Sequence, residues 1–173
     1  MLALAIEKRE TTIKMFCKAA LTLALASACI YAAEKYDGPI PPKPDVPYLL
    51  HATNLVETEV GQAKQENRKN DSTFIISGAA SPARTPLAEP IFIMEARQVS
   101  PERMELYRLD VKNGNREVSV SSGKRRGGNR PLHLTVTPLP NHLYRLEADE
   151  PLENGEYALS PNGDNRAFCF QIY

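Results

Sequence analysis

The fold class is decided by residues 104–120, which read Met104-Glu-Leu-Tyr-Arg-Leu-Asp-Val-Lys-Asn-Gly-Asn-Arg-Glu-Val-Ser-Val120. Apolar and polar residues alternate on both sides of Asn113-Gly114, and this alternation is typical of strands with one buried face. A two-residue primed turn needs positive φ at both central positions, which Asn and Gly tolerate. The stretch therefore predicts a β-hairpin.

Alternation of the same kind recurs along the chain. Short apolar or alternating runs cover 48–60, 72–77 and 91–96. Because there are about eight such runs and no long helical periodicity, we expect an all-β domain over 48–173, built as an antiparallel β-sandwich of two sheets. Further side chains predicted to face its core are Leu132, Leu134, Val136, Tyr144, Leu146, Ala148, Phe168, Phe170 and Ile172.

Two connecting segments have an unusual composition. Residues 62–71 include a single small apolar residue, which predicts a solvated turn or a short exposed helix. Residues 78–90 are rich in small residues and proline. Because loops of about a dozen residues without secondary structure are uncommon and often functional, we expect 78–90 to be an interaction surface.

The segment Leu152-Glu-Asn-Gly-Glu-Tyr157 resembles the tyrosine corner of immunoglobulin-like and fibronectin-like sandwiches. The resemblance implies structural roles: Leu152 fills the core, Gly155 turns the chain, and the Tyr157 hydroxyl bonds to the backbone just upstream. It also implies that the sandwich is immunoglobulin-like.

Two longer segments are similar to a family of secreted bacterial proteins. They are Pro41-Pro-Lys-Pro-Asp-Val-Pro-Tyr-Leu-Leu-His-Ala52 and Leu152-Glu-Asn-Gly-Glu-Tyr-Ala-Leu-Ser160. This similarity implies export and assigns a role to none of the residues.

Residues 1–33 have the layout of a secretory signal peptide. Lys14 and Lys18 precede an uncharged segment, 19–33, that is shorter than the roughly 20 apolar residues needed to span a bilayer, and polar residues follow it. Translation would start at Met1 or at Met15. We expect a secreted or periplasmic protein.

The signal peptide offers two processing sites. Cleavage after Ala32 or Ala33 would release a soluble protein. The alternative is Leu25-Ala-Ser-Ala-Cys29, which resembles a lipobox; lipidation of Cys29 would anchor the protein to a membrane as a lipoprotein. Either cleavage leaves Cys169 as the only thiol, so no internal disulfide is expected.

Residues 34–47 form a proline-rich arm, with five prolines in the eleven residues 37–47. Each proline fixes its own φ and favours extended geometry in the residue before it. The arm is either a spacer or docking peptide for a partner, or a lead-in that lies along the first strand. We favour the lead-in.

Catalytic motifs are missing from the sequence. It contains no Gly-x-Ser-x-Gly, no phosphate-binding glycine loop and no paired zinc-ligand motif for its three histidines, His51, His133 and His142. His133 and His142 flank one predicted turn, so they could approach each other. Cys169 alternates with phenylalanines and has no visible base, as expected for a buried sheet residue. We expect no cofactor and no metal.

Positive charge concentrates in Gly123-Lys-Arg-Arg-Gly-Gly-Asn-Arg130. Its candidate ligand-binding residues, Lys124, Arg125, Arg126 and Arg130, would bind phosphate, sulfate or carboxylate groups, and Lys112 and Arg116 add charge nearby. The alternative is a solvated hairpin tip. Because 21 basic residues balance 21 acidic ones and no aromatic residues interleave with this loop, we expect no nucleic acid partner.

Together these observations predict an exported, non-catalytic binding or interaction module at the cell envelope. Its partner would be an anionic envelope component or another envelope protein, and it would contact a membrane only if Cys29 is lipidated. Two alternatives stay open: a secreted hydrolase with a site built from dispersed His and carboxylate residues, and a structural or assembly subunit that adds its arm or an open strand to a neighbour's sheet.

A triple substitution tests the basic loop. Changing Arg125, Arg126 and Arg130 to serine removes the guanidinium groups without touching predicted core positions. We expect salt-sensitive retention on an anionic chromatography matrix to disappear while the melting temperature stays nearly unchanged. Retention that survives the triple change would contradict the assignment.

Overall fold

The structure is a computed structural model that describes residues 36–68, 71–121 and 129–173. The predicted signal peptide with Cys29 lies outside the described residues. The same holds for three of the four basic-loop residues, Lys124, Arg125 and Arg126, whereas Arg130 is described and exposed.

The predicted all-β, antiparallel two-sheet sandwich is confirmed. The described residues form thirteen strands, more than the roughly eight expected, and one 3₁₀ turn at Pro101–Arg103. None of their helical segments is long and apolar enough to cross a membrane. The strands are β1 (Tyr48–His51), β2 (Asn54–Glu57), β3 (Glu59–Gln62), β4 (Lys64–Arg68), β5 (Asp71–Ser77), β6 (Arg84–Thr85), β7 (Ile91–Glu95), β8 (Met104–Lys112), β9 (Asn115–Ser121), β10 (Leu134–Pro138), β11 (Leu143–Ala148), β12 (Gly155–Pro161) and β13 (Arg166–Ile172).

One layer of the sandwich is a five-stranded antiparallel sheet in the order β10-β11-β7-β1-β2. Its central strand β7 supplies Phe92 and Met94, neither of which has exposed surface. In β10 and β11, Leu134, Val136 and Leu146 face the core, in the phase that their alternation predicts.

The other layer has eight strands, in the order β3-β13-β12-β8-β9-β5-β4 with β6 beside β13. Strands β3 and β4 lie at opposite ends of this order, yet Ala63 alone separates them in the sequence. The segment 59–68 therefore pairs with β13 through its first half and with β5 through its second half. The sheet curls until its two ends meet, and we call it the closed sheet.

Strands β8, β12 and β13 are shared by two cores. Leu106, Leu159 and Phe168 point toward the five-stranded sheet, where Phe170 packs edge-on against Phe92 with the ring centroids 5.0 Å apart. Residues of the opposite phase in the same strands, Leu109, Ala158, Ala167 and Cys169, point into the closed sheet. They form a second buried cluster with Ile76 of β5 and Val118 of β9. Side-chain alternation with period two thus gives three strands two apolar faces.

The predicted hairpin between β8 and β9 is confirmed. Lys112 pairs with Asn115, and the two residues between them have positive φ: 52° at Asn113 and 75° at Gly114. These values are typical of a type I′ turn.

The expectation for residues 62–71 is wrong. In the part of this segment that the structure describes, Lys64–Arg68 forms β4, which completes the closed sheet by pairing with β5. Outward-facing Lys64 and Glu66 form an ion pair on the surface. The strand escapes prediction because its inward-facing residues, Ala63 and Gln65, are too small or too polar to produce a hydrophobic period.

The described part of the proline-rich arm, 36–47, lies against the five-stranded sheet, as expected for a lead-in to the first strand. Pro41 and Pro47 are buried. Asp45 turns the chain with φ of 61°, and its Oδ1 accepts hydrogen bonds from the backbone N–H groups of Arg97, Gln98 and Val99. These bonds hold the pKa of Asp45 below its usual value, although partial burial opposes them.

The tyrosine-corner contacts are present at the start of β12. The Tyr157 hydroxyl donates a hydrogen bond of 2.8 Å to the backbone carbonyl oxygen of Glu153, and Leu152 is buried in the core. Gly155 begins the strand.

Removing this hydroxyl tests how much the corner stabilises the fold. We expect Tyr157→Phe to lower the free energy of unfolding by about 1 kcal/mol, because a partly buried carbonyl loses its donor. Urea denaturation measures the change. Tyr173→Phe, at an exposed tyrosine, is the matched control and should have no effect; equal effects of the two variants would contradict this role.

Candidate functional site

A cavity of about 450 Å³ lies inside the closed sheet. Pockets that bind small molecules typically measure about 300–1,000 Å³, so the cavity is large enough for a ligand. Its walls are apolar and come from strands on every side of the closed sheet: Ala63, Phe74, Ile76, Tyr107, Leu109, Val118, Val120, Ala158, Pro161 and Ala167.

Polar groups gather at one end of the cavity, where β8 begins and where the turn 162–165 joins β12 to β13. We call this end the mouth. The carboxylate of Glu105 accepts hydrogen bonds from the Tyr107 hydroxyl at 2.6 Å and from the Asn162 side-chain amide at 2.8 Å. Ser160 and Asp164 also belong to the mouth, together with Gln65 from β4.

Tyr107 stays a neutral phenol over the physiological range. Burial raises the pKa of its hydroxyl, and the hydrogen bond and negative charge of Glu105 raise this pKa further. The hydroxyl therefore donates to Glu105 and does not act as a base.

A buried ionic cluster lies below the cavity, and we call it the floor cluster: Arg116, Glu59 and Glu156. Arg116 has no exposed surface. Its guanidinium donates to both carboxylate oxygens of Glu59, at 2.6 and 2.8 Å, and to the backbone carbonyl oxygens of Ser77 and Gly78. These bonds use four of the five guanidinium N–H donors. The hydrogen bond from Arg116 is the main cause that holds the pKa of Glu59 below its ordinary value.

Glu156 is the weakly satisfied member of the floor cluster. It is only 4 % exposed, and its Oε2 accepts the backbone N–H of Ser81 at 3.0 Å and lies 3.8 Å from the Arg116 guanidinium. Its Oε1 has no hydrogen-bond partner. Burial raises the pKa of this carboxyl despite the nearby Arg116, which favours the protonated acid in the folded state.

The expectation that Arg116 adds surface charge near the basic loop is wrong. Strand β9 carries Arg116 on the same face as Val118 and Val120, and this face points into the closed sheet. The period-two phase of β9 was the available signal, because residues 116, 118 and 120 share one face. Arg130, the described member of the predicted basic site, is exposed and does not line the cavity.

The predicted loop 78–90 has a structural role. Its middle forms β6, which pairs in parallel with the end of β13. Ser81 is buried, and its hydroxyl donates to the Cys169 carbonyl oxygen at 3.1 Å. The exposed residues of the loop are 78–80, Pro82, Arg84 and 86–89.

The histidines are not gathered in one place. His133 and His142 lie at opposite ends of the β10–β11 hairpin, because the connecting turn is 139–142 and His133 precedes β10. The approach that their flanking positions allowed does not occur. Within the described ranges, no three His, Cys, Asp or Glu side chains are grouped so as to hold a metal ion.

Cys169 is fully buried in the closed sheet, as its alternation with phenylalanines predicts. Burial raises the pKa of its thiol to about 12. The thiol therefore stays protonated and is a poor nucleophile.

No protein-family model, no curated protein sequence and no solved structure matches this chain. What the site can bind is therefore argued from its own residues.

The raised pKa of Glu156 predicts how stability changes with pH. A carboxyl whose pKa is higher in the folded state than its unfolded value of 4.5 stabilises the fold below that value, and this stabilisation is lost as pH rises through the folded pKa. We expect the melting temperature of Glu156→Gln, relative to the wild type, to increase as pH is raised from about 4.5. The change follows because glutamine cannot ionise.

Thermal denaturation at a series of pH values measures this difference. Glu89→Gln, at an exposed carboxylate, is the control and should follow the wild-type curve at every pH. A difference between Glu156→Gln and the wild type that shrinks with rising pH would contradict the predicted direction.

Proposed function

We propose that this chain is an exported, non-catalytic binding module of the cell envelope, and that it holds a small molecule with an apolar body inside the closed sheet. Export and envelope location are supported by the signal-peptide layout of residues 1–33. The binding role is supported by the cavity.

The observation that carries this proposal is the cavity of about 450 Å³ inside the closed sheet, which the protein's own side chains leave unfilled. Protein interiors are close-packed, and voids larger than a water molecule are few. Two residues of the lining, Ala63 and Ala158, have small side chains that leave space between the strands. A ligand would supply the missing contacts with Phe74, Ile76 and Val118.

The non-catalytic part is supported by the chemistry of the titratable groups at the cavity. Glu105 and Tyr107 are bonded to each other, and Asp164 is bonded to Arg166 at 2.7 Å. The Tyr107 hydroxyl lies beside the Glu105 carboxylate, but its raised pKa keeps it a neutral phenol. The Ser160 hydroxyl donates to the backbone carbonyl oxygen of Arg166 and has no base beside it among the described residues. These bonding partners of the titratable side chains favour ligand binding over catalysis of bond cleavage.

Filling the cavity tests the proposal. Val120 is half-buried in the wall, so Val120→Trp places a large ring in the space that the ligand would use. We expect the wild type to bind the neutral fluorescent probe N-phenyl-1-naphthylamine saturably, and Val120→Trp to weaken this binding at least about tenfold. Fluorescence titration gives both dissociation constants.

The matched control is Val111→Trp, the same change at an exposed valine that does not line the cavity. It should bind the probe as the wild type does, and circular dichroism should show that both variants are folded. Absence of saturable binding to the wild type, or equal binding to both variants, would refute the cavity as the binding site.

A further inference from the structure

Resting on the proposed function, we infer that the ligand ends in a primary ammonium group, which lies at the mouth beside Glu105 while the apolar body lies between the walls of the closed sheet.

Three polar side chains of the mouth, those of Tyr107, Ser160 and Gln65, have already used their donors. The Tyr107 hydroxyl donates to Glu105, and the Ser160 hydroxyl donates to the Arg166 carbonyl oxygen at 2.8 Å. The Gln65 amide nitrogen donates to Asn67 at 2.9 Å and to Ser72 at 3.3 Å. A hydroxyl has one hydrogen and an amide has two, so each of these groups has only acceptor capacity left.

The two carboxylates of the mouth are acceptors as well. Each oxygen of an ionised carboxylate accepts more than one hydrogen bond, so the bonds that Glu105 receives from Tyr107 and Asn162 leave room for a third donor. The mouth therefore presents more acceptors than donors, since side-chain donors remain in its described part only as the second amide N–H of Asn162 and the side-chain amide of Asn165. A carboxylate or phosphate would find only these neutral amide donors, and the negative charges of Glu105 and Asp164 would repel it.

The negative charge of the mouth also favours a ligand group that is a cation and a hydrogen-bond donor. The carboxylate of Asp164 is paired with Arg166. Glu105 receives only neutral donors, and within the described ranges no lysine or arginine nitrogen lies within ion-pair distance of it. Arg103 is the neighbouring cation; its guanidinium donates to the Asn162 carbonyl oxygen at 3.3 Å, and it does not line the cavity. A ligand cation would therefore supply the ion-pair partner that Glu105 lacks among the described residues.

A primary ammonium fits this mouth better than other cations. It carries three N–H donors on a compact charge, which matches the acceptors of Glu105, Tyr107 and Ser160. A quaternary ammonium has the charge but no donor, and an alcohol has one donor but no charge. The ligand class is thus an amine whose hydrophobic part fills the space between Phe74, Ile76 and Val118.

Competition between matched ligands tests the inference. Decylammonium, decanol, decanoate and decyltrimethylammonium share one alkyl chain and differ in the end group. Each is titrated at pH 7 and below its critical micelle concentration against the wild-type protein loaded with N-phenyl-1-naphthylamine. We expect decylammonium to displace the probe at a concentration at least about tenfold lower than decanoate does, with decanol and decyltrimethylammonium between them.

A carboxylate substitution identifies the counter-ion. Of the two mouth carboxylates, Glu105→Gln removes the one that has no arginine partner in the described ranges, and it keeps the size of the side chain. It should therefore weaken decylammonium binding about tenfold and leave decanol within about threefold of the wild type. Asp110→Asn, at an exposed carboxylate on the same strand outside the cavity, is the matched control and should change neither.

The outcomes separate this inference from the proposed function. If the probe binds but decanoate displaces it as well as decylammonium or better, the ammonium assignment is wrong and the cavity remains a binding site. The same holds if Glu105→Gln leaves decylammonium binding unchanged. If the probe itself does not bind the wild type, the proposed function fails and the inference fails with it.

Discussion

The structure depends on the two-sided burial of β8, β12 and β13. Alternate residues of these strands face opposite cores, so both faces of each strand must pack in the interior. The segment Ala167-Phe-Cys-Phe170 meets this requirement: its phenylalanines pack against the five-stranded sheet, and Ala167 and Cys169 lie inside the closed sheet. The difference in size between the two sets matters. Large residues fill the first core, whereas small ones on the second face leave the space that becomes the cavity.

The two ends of the closed sheet have different contents: charged side chains at one end and the cavity at the other. Its lower part holds buried Arg116, which forms a bidentate ion pair with the partly exposed Glu59. The guanidinium also donates to the backbone carbonyl oxygens of Ser77 and Gly78, and together these bonds fix this end of the sheet. The upper part has apolar walls and polar groups only at the mouth. A rigid floor and an unfilled upper space are what a preformed ligand site requires, because little has to be reordered on binding.

Local signals in the sequence predicted local structure well. Asn113-Gly114 specified its turn through backbone conformation, and Tyr157 lies near enough to Glu153 in the sequence for its hydroxyl bond to be foreseen. What the sequence could not show was the closure of the second sheet. That closure depends on β4, whose polar residues carry no hydrophobic period, and on pairings between segments far apart in the chain. The cavity was missed for the same reason, since it exists only once all its walls are assembled.

The pairings of β13 have a consequence for the order of folding. This last strand bonds to β12, to β3 near the start of the domain and to β6, and it contributes side chains to both cores. Neither core can be completed before it is synthesised. Folds dominated by such non-local pairings have high contact order and typically fold in milliseconds to seconds. The two cores therefore become complete together, once β13 is present, so the domain is expected to fold as one cooperative unit rather than one sheet at a time.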